Sequence, residues 1–411
     1  MSATVSRRVA VTGLGSITAI GESIASFKEG IFSGKCGIGP ISLFDTQGFP
    51  CQLAAEVKNR NLKESFDPRE VKRFSRCDLL GLIAAREALL DSDLDLEHYD
   101  RNKIGVIMGG GAGGMFSCEQ YRRALWSKKN KPRPSLLLPF ATCTLTDLIA
   151  SHYKLTGYRA TISTACSSSA TSIGHGFDLI RSGTQEVVVT GGSEALSELT
   201  FAGFNALRVM DPEYCRPFDK NRRGLSLGEG AGILVLEDYG RAEKRGATIY
   251  AEVLGYAINA DAFHMTSPDP EATGTSRVMA NAFKNANVNV DLVDYINAHG
   301  TGTRISDQTE TRAIKKVFGE IRARDLAISS AKSMVGHCLG AAGAIEAVVT
   351  VLAMCEQAVP PTIHLDESDP ECDLDYVPNN AREKEIRISI SNSFAFGGNN
   401  TSLVFGRTGK R

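Results

Sequence analysis

Residues 160–183 read ATISTACSSSATSIGHGFDLIRSG, and residues 327–357 read AISSAKSMVGHCLGAAGAIEAVVTVLAMCEQ. Each stretch opens as a short strand, turns through Ser/Thr-Ala, and continues as a run of small apolar residues. In the first, the strand ends near Ser163 or Thr164 and a helix follows from about residue 167 to 181. The same grammar in two places predicts a duplicated half-domain. Helices so poor in charge are expected to be covered on both sides, in a middle layer between two sheets.

The flanking sequence fits that plan. A strand at 8–12 runs into a glycine turn at Gly13–Gly15, then a helix at 22–33. Residues 69–91 read as one amphipathic helix, basic in its first half through Arg69, Lys72, Arg73 and Arg76 and apolar in its second. IGVIMGGGAGG at 104–114 and EVVVTGGSEA at 186–195 are buried strands with glycine exits. The basic segment 119–138, with KKNKPRP at 128–134, reads as a loop. GEGAGILVLEDYGRAEKRG at 228–246 gives a strand over 233–236 and then a charged helix. Residues 256–276 read as a loop, VDYINAHGTGT at 293–303 as a strand ending in a polar turn, and 387–407 as two strands around a glycine-rich hairpin. Strands and helices alternate throughout, so the class is α/β with helices covering sheets.

The totals limit the function. Across 411 residues, 46 basic and 47 acidic side chains leave a net charge of -1, which argues against a nucleic-acid coat protein. No uninterrupted apolar run approaches the roughly 20 residues of a membrane span. Glycines interrupt the apolar run of the N-terminus, which reads as strand and turn rather than a signal peptide. GLGSITAIG lacks the spacing and acidic partner of a dinucleotide fingerprint. The ten cysteines form no CxxC pair, as expected of reduced thiols in a cytoplasmic protein.

Five polar residues stand out. Cys166 lies where a strand hands over to a helix, whose free N–H groups favour a thiolate and can donate to an oxyanion; a small buried thiol is the alternative reading. His299 ends a strand and His337 starts a helix, both beside glycine, where an imidazole can serve as acid, base or donor. Two histidines and one cysteine could also hold zinc, but their spacing shows no closed cluster. Glu346, nine residues after His337 on the same predicted helix, is too far along to touch it. If Glu346 is buried it needs a partner, and Lys332 is the natural one. Phe394 and Phe396 border Gly397 and Gly398 in a loop suited to swing near a ligand.

These motifs together (TACSSS, PFDKNRRG at 217–224, GEGAG, NAHGTGT, SAKSMVGHCLGAAG and NSFAFGG) resemble the β-ketoacyl-acyl-carrier-protein synthases, from Val9 to about Phe405. The resemblance implies a thiolase-like five-layered αβαβα fold of two similar halves, 1–250 with the nucleophile and 251–411 with the histidines. It implies an acyltransferase that performs decarboxylative Claisen condensation and extends a chain by two carbons. Cys166 then takes the acyl group as a thioester. His299 and His337 assist decarboxylation, Lys332 polarises the site, and Glu346 is its buried partner. The N–H groups of Cys166 and Phe396 form the oxyanion hole, Phe396 gates the acyl pocket, and Thr301 and Thr303 hold the pantetheine arm. Arg69, Lys72 and Arg73 match a surface that docks acidic acyl carrier protein. The resemblance implies no bound cofactor or metal, substrates on the carrier's phosphopantetheine arm, and a dimer.

The chain departs from the family pattern at Ser167-Ser168-Ser169, Arg223, Arg304, Ser306, Ala395 and Asn399. The triple serine is more similar to polyketide ketosynthases. A second expectation is therefore the catalytic ketosynthase of a type II polyketide or polyene system, paired with a chain-length-factor-like partner. A non-catalytic scaffold is disfavoured because the cysteine and both histidines are present. A coenzyme A thiolase is disfavoured because the C-terminal loop carries no second cysteine.

Overall fold

The computed structural model describes residues 7–58, 61–127 and 131–408. Readings that fall on 1–6 and 128–130 lie outside the described residues.

Ten strands make one sheet: β1 (Val9–Thr18), β2 (Ile104–Gly109), β3 (Arg159–Ile162), β4 (Val187–Glu194), β5 (Gly230–Asp238), β6 (Ala251–Ala260), β7 (Tyr295–Asn297), β8 (Ala327–Ser329), β9 (Ile388–Phe394) and β10 (Asn399–Gly406). Their order is β8-β7-β9-β10-β6-β1-β5-β4-β2-β3. Read outward from the centre, the first five run 1-5-4-2-3 and the second five 6-10-9-7-8, the same winding with five added to each number. In each half the two central pairings are antiparallel and the two outer ones parallel. The halves join where Val9–Val11 pairs with Ala251–Val253. The duplication inferred from two helices extends to the whole sheet.

Five helices complete the layers: α1 (Arg76–Asp91), α2 (Ser168–Arg181), α3 (Thr273–Ala286), α4 (Arg304–Phe318) and α5 (Ala342–Glu356). α1 covers the first half-sheet, while α3 and α4 cover the second. α2 and α5 each touch strands of both halves, and the largest apolar cluster surrounds them. They are therefore the expected middle layer of a thiolase-like αβαβα fold. Small residues permit the close approach. A Cβ on Gly343 would lie 2.7 Å from the Cβ of Ala170, and one on Gly232 would lie 2.6 Å from the backbone N of Ile345. Leu339–Glu356 is long and apolar enough to cross a membrane, but 83% of it is buried inside the fold, between the two half-sheets.

Several local expectations change. β1 continues through Gly13 and Gly15 instead of turning there, because both glycines sit under α1. A Cβ at Gly15 would meet the carbonyl of Ala84 at 1.9 Å. The helix expected at 69–91 splits into a 3₁₀ turn, Val71–Arg73, and α1. Ser75 caps α1 reciprocally with Asp78, and that cap separates Arg69, Lys72 and Arg73 from Arg76, the first residue of α1. Met115–Ser127 is helix rather than loop. The loop expected at 256–276 is shortened by β6 and α3 to 261–272.

Candidate active site

The residues singled out above lie beyond the C-terminal ends of β3, β7, β8 and β9, the edge where ligands bind in wound α/β sheets. β3 and β8 occupy the same place in the two halves. Cys166 follows one, and Lys332 and His337 follow the other, so the duplication brings nucleophile and cation face to face.

The turn after β3 is tight. Ala165 takes a left-handed φ of 52°, unusual for a residue with a Cβ, and this throws Cys166 out ahead of α2. Two of the three serines stabilise that turn, and the third ties it to α5. Ser167 Oγ donates to the Thr164 carbonyl (2.9 Å), and Ser168 Oγ donates to the Ala165 carbonyl (2.6 Å) while accepting from the Thr164 N–H (2.9 Å). Ser169 Oγ accepts the Ala344 N–H, a free donor in the first turn of α5 (2.9 Å). These serines shape the elbow and join the middle helices, and that structural role tells nothing of the product.

Cys166 is 7% exposed. Burial pushes its thiol up to about 11, against the pull of the Lys332 charge and the Phe396 N–H that bonds it. The thiolate expected from the helix terminus is thus reversed by desolvation, and the resting group is a thiol. The N–H groups of Cys166 and Phe396 are taken by no other described carbonyl.

His299 and His337 are buried with ring centroids 5.5 Å apart. Burial, and then the Lys332 charge, hold both well below the ordinary histidine range, so both are neutral at pH 7. Lys332 Nζ donates to the His299 carbonyl at 2.6 Å, approaches its Nδ1 at 3.3 Å, and pairs with Glu346 Oε1. Burial pushes Glu346 up to about 7, with Lys332 opposing. His337 and Glu346 are not on one helix. Gly336 (φ 66°) ends the helical turn Lys332–Val335, and α5 starts only at Ala342. His337 is fixed instead by its backbone, with its N–H on Ser226 O at 2.7 Å and its carbonyl taking Gly228 N–H at 3.0 Å.

A cavity of about 570 Å³ opens onto this group. Cys166, His299, His337, Thr301, Thr303, Phe394 and Phe396 all line it, and Lys332 and Glu346 stand behind His299. Thr301 and Thr303 share a hydroxyl contact of 3.0 Å. The Phe396 ring stacks on Phe204 with centroids 5.9 Å apart. Arg69, Lys72 and Arg73 are exposed but belong elsewhere; Lys72 lines a separate cavity with Lys63 and Arg133. Among the described residues, no group of three or more His, Cys, Asp or Glu could hold a metal ion.

Three buried carboxylates escaped sequence reasoning. Glu310 accepts the N–H groups of His299 (2.9 Å) and Gly300 (2.8 Å). Asp307 accepts those of Thr301, Gly302 and Phe218 and sits 3.5 Å from Arg222, so PFDKNRRG braces the HGTGT loop. Glu194, at the end of β4, accepts from Gly111 (3.0 Å), Ala112 (2.9 Å) and Gly340 (3.1 Å), tying the first half's glycine loop to the turn after His337. The available signal was a lone carboxylate ending an apolar strand (Glu194) and an i, i+3 acidic pair opening a helix (Asp307, Glu310). Glu194→Ala takes the shared acceptor from three N–H groups, of which that of Gly340 is buried. It is expected to cost about 1–3 kcal/mol, read as a fall in the denaturation midpoint at unchanged slope.

Comparison with known proteins identifies the family. The family model described as "Beta-ketoacyl synthase, N-terminal domain" matches residues 6–242, and its "C-terminal domain" counterpart matches 250–366. The 3-oxoacyl-[acyl-carrier-protein] synthase 2 of Synechocystis sp. is 41% identical over 407 residues, spanning 97% of this chain and 98% of the relative. The ishigamide ketosynthase/chain length factor superposes with a TM-score of 0.94 at 36% identity, over 98% of this chain and 100% of that one. A type II polyketide ketosynthase in complex with its acyl-carrier protein and bound to the hexaketide superposes with a TM-score of 0.90 at 31% identity, over the same shares. By two family models, a full-length relative and its fold, the chain belongs to the β-ketoacyl synthase family.

Proposed function

We propose that the chain condenses a Cys166-bound acyl group with a malonyl thioester, releasing CO2 and lengthening the acyl chain by two carbons. The observation that carries this is one cavity lined by a single thiol and two neutral imidazoles. The thiol takes the acyl group as a thioester and releases the donor thiol, so one thioester is exchanged for another. Loss of CO2 from malonyl then leaves an enolate, whose developing charge falls on the thioester oxygen. Two neutral N–H donors on buried imidazoles stabilise that charge. The enolate carbon attacks the acyl carbonyl, the N–H groups of Cys166 and Phe396 hold the oxyanion, and collapse expels the Cys166 sulfur. Half 1–250 supplies the nucleophile and half 251–411 the donors. Phe396 gates the pocket and Phe394 packs beside His299. The reaction asks for no bound cofactor.

The donors we assign are thioesters on the phosphopantetheine arm of acyl carrier protein, in a cytoplasmic setting suited to ten free thiols. Mixing the chain with acyl-carrier and malonyl-carrier should yield a 3-oxoacyl product two carbons longer, read by mass spectrometry. CO2 release without a longer product overturns the reading. The exposed Arg69, Lys72 and Arg73 are assigned to carrier docking. Reversing Lys72 and Arg73 to glutamate is expected to raise KM for the carrier substrate with kcat little changed, an effect that weakens with salt; an unaltered KM refutes it. A second reading, the catalytic subunit of a polyketide or polyene pair, is favoured by the similarity to the ishigamide ketosynthase/chain length factor. Co-purification with a chain-length-factor-like partner, as against a homodimer, separates the two.

A further inference from the structure

We propose that Arg304 and Arg208, at the mouth of the active-site cavity, bind the phosphate of a phosphopantetheine-linked donor and make the enzyme prefer phosphate-bearing thioesters. The inference rests on the thioester reading above and names a determinant within it.

Position supplies the first argument. Along His299–Arg304 burial falls steadily: His299 and Thr301 are buried, Thr303 is half-buried and Arg304 is exposed, yet all four line one cavity. This segment is a polar ladder from the reacting centre to solvent. A phosphopantetheine thioester is an extended chain with sulfur at one end, amides between, and phosphate at the far end. With its sulfur at Cys166 and His299, and its amides passing Thr301 and Thr303, the phosphate emerges where the ladder ends. Arg208 is exposed on the same cavity.

Charge supplies the second argument. Four arginines line the cavity, and two are already committed. Arg222 pairs with Asp307 and Asp369, and Arg223 pairs with Asp211 and Glu213. Among the described residues, neither Arg208 nor Arg304 has a carboxylate within ion-pair distance. The carboxylate that lines the cavity, Asp261, accepts from Asn400 Nδ2 at 2.7 Å. Arg304 acts only at longer range on Asp369, which Arg222 already pairs, so two guanidiniums without a close ion pair stand at one opening and suit a phosphate, which they can grip through paired N–H bonds.

The test compares kcat/KM for three donors carrying the same acyl group: acyl-pantetheine, acyl-phosphopantetheine and acyl-carrier. The wild-type preference for acyl-phosphopantetheine over acyl-pantetheine should fall about tenfold in the Arg208→Ala/Arg304→Ala double variant, mainly through KM, with partial return in Arg304→Lys. An unchanged ratio overturns the proposal, as does a loss confined to acyl-carrier, which would mean that the arginines read the carrier's own surface. Failure of the wild-type chain to load Cys166 from any donor would instead sink the functional reading itself. A matched thermal midpoint separates lost phosphate binding from lost folding.

Discussion

Cys166→Ala abolishes acyl transfer. After incubation with an acyl-thioester donor, the variant keeps its unmodified intact mass while the wild-type chain gains one acyl group. Condensation falls by about four orders of magnitude or more, the scale on which loss of a covalent nucleophile removes a whole step. The size of the effect follows from the lining of the cavity, in which Cys166 is the cysteine that faces the histidines. Two other thiols lie close by, but neither can replace it. Cys215 Sγ donates to the Lys332 carbonyl at 3.0 Å and its thiol is pushed up to about 12, chiefly by burial. Cys338 faces Val335 O, and burial likewise raises its thiol far above the ordinary range. Cys166→Ser retains a small polar group at the elbow, so its failure to load would separate thiol chemistry from shape. An acyl adduct of normal stoichiometry on Cys166→Ala overturns the assignment.

Strand-to-helix handovers at Cys166 and Lys332 were legible in the sequence, because a β-branched run followed by small residues is a local signal. The Lys332–Glu346 pairing was legible too, since a carboxylate among Ala, Gly and Val has few other partners. Glu194 was not, because its three N–H partners come from loops 82 to 146 positions away and nothing local names them. The break between His337 and Glu346 was hidden as well. Glycine and leucine after His337 are compatible with a helix start, and only the backbone bonds to Ser226 and Gly228 pull that histidine off the helix. The same limit explains Gly13 and Gly15. Glycine signals a turn or a close neighbour with equal force, and the neighbour here, α1, begins more than sixty residues later. The thiolate expected at Cys166 failed for an energetic reason: burial, which spacing does not report, outweighs the helix terminus.

Lys332→Ala is expected to cost both stability and rate, and to move the pH profile in a direction that a purely structural role would not. The ammonium is 1% exposed and its partner Glu346 is 2% exposed. Removing one member of a buried pair leaves the other uncompensated, for about 3–5 kcal/mol. Glu346, with Oε2 already unpaired, relieves this by taking a proton, so the variant folds with a neutral carboxylic acid there. The catalytic effect comes through the histidines. The Lys332 charge is a cause that lowers both of them, second only to burial. Without it both titrate at higher pH, so at a given acidic pH a larger fraction is imidazolium. The neutral pair assigned to the proposed enolate step is then lost earlier as pH falls, and the acid limb of kcat/KM moves upward. At pH 7 the His299 carbonyl and ring also lose the cation that holds them, and the rate falls by about a hundredfold or more. If Lys332→Ala is merely less stable, its profile overlays the wild type once scaled for folded enzyme. An overlaid acid limb, measured well below the variant's melting temperature, therefore removes Lys332 from the electrostatics of the reaction and leaves it only a role in folding.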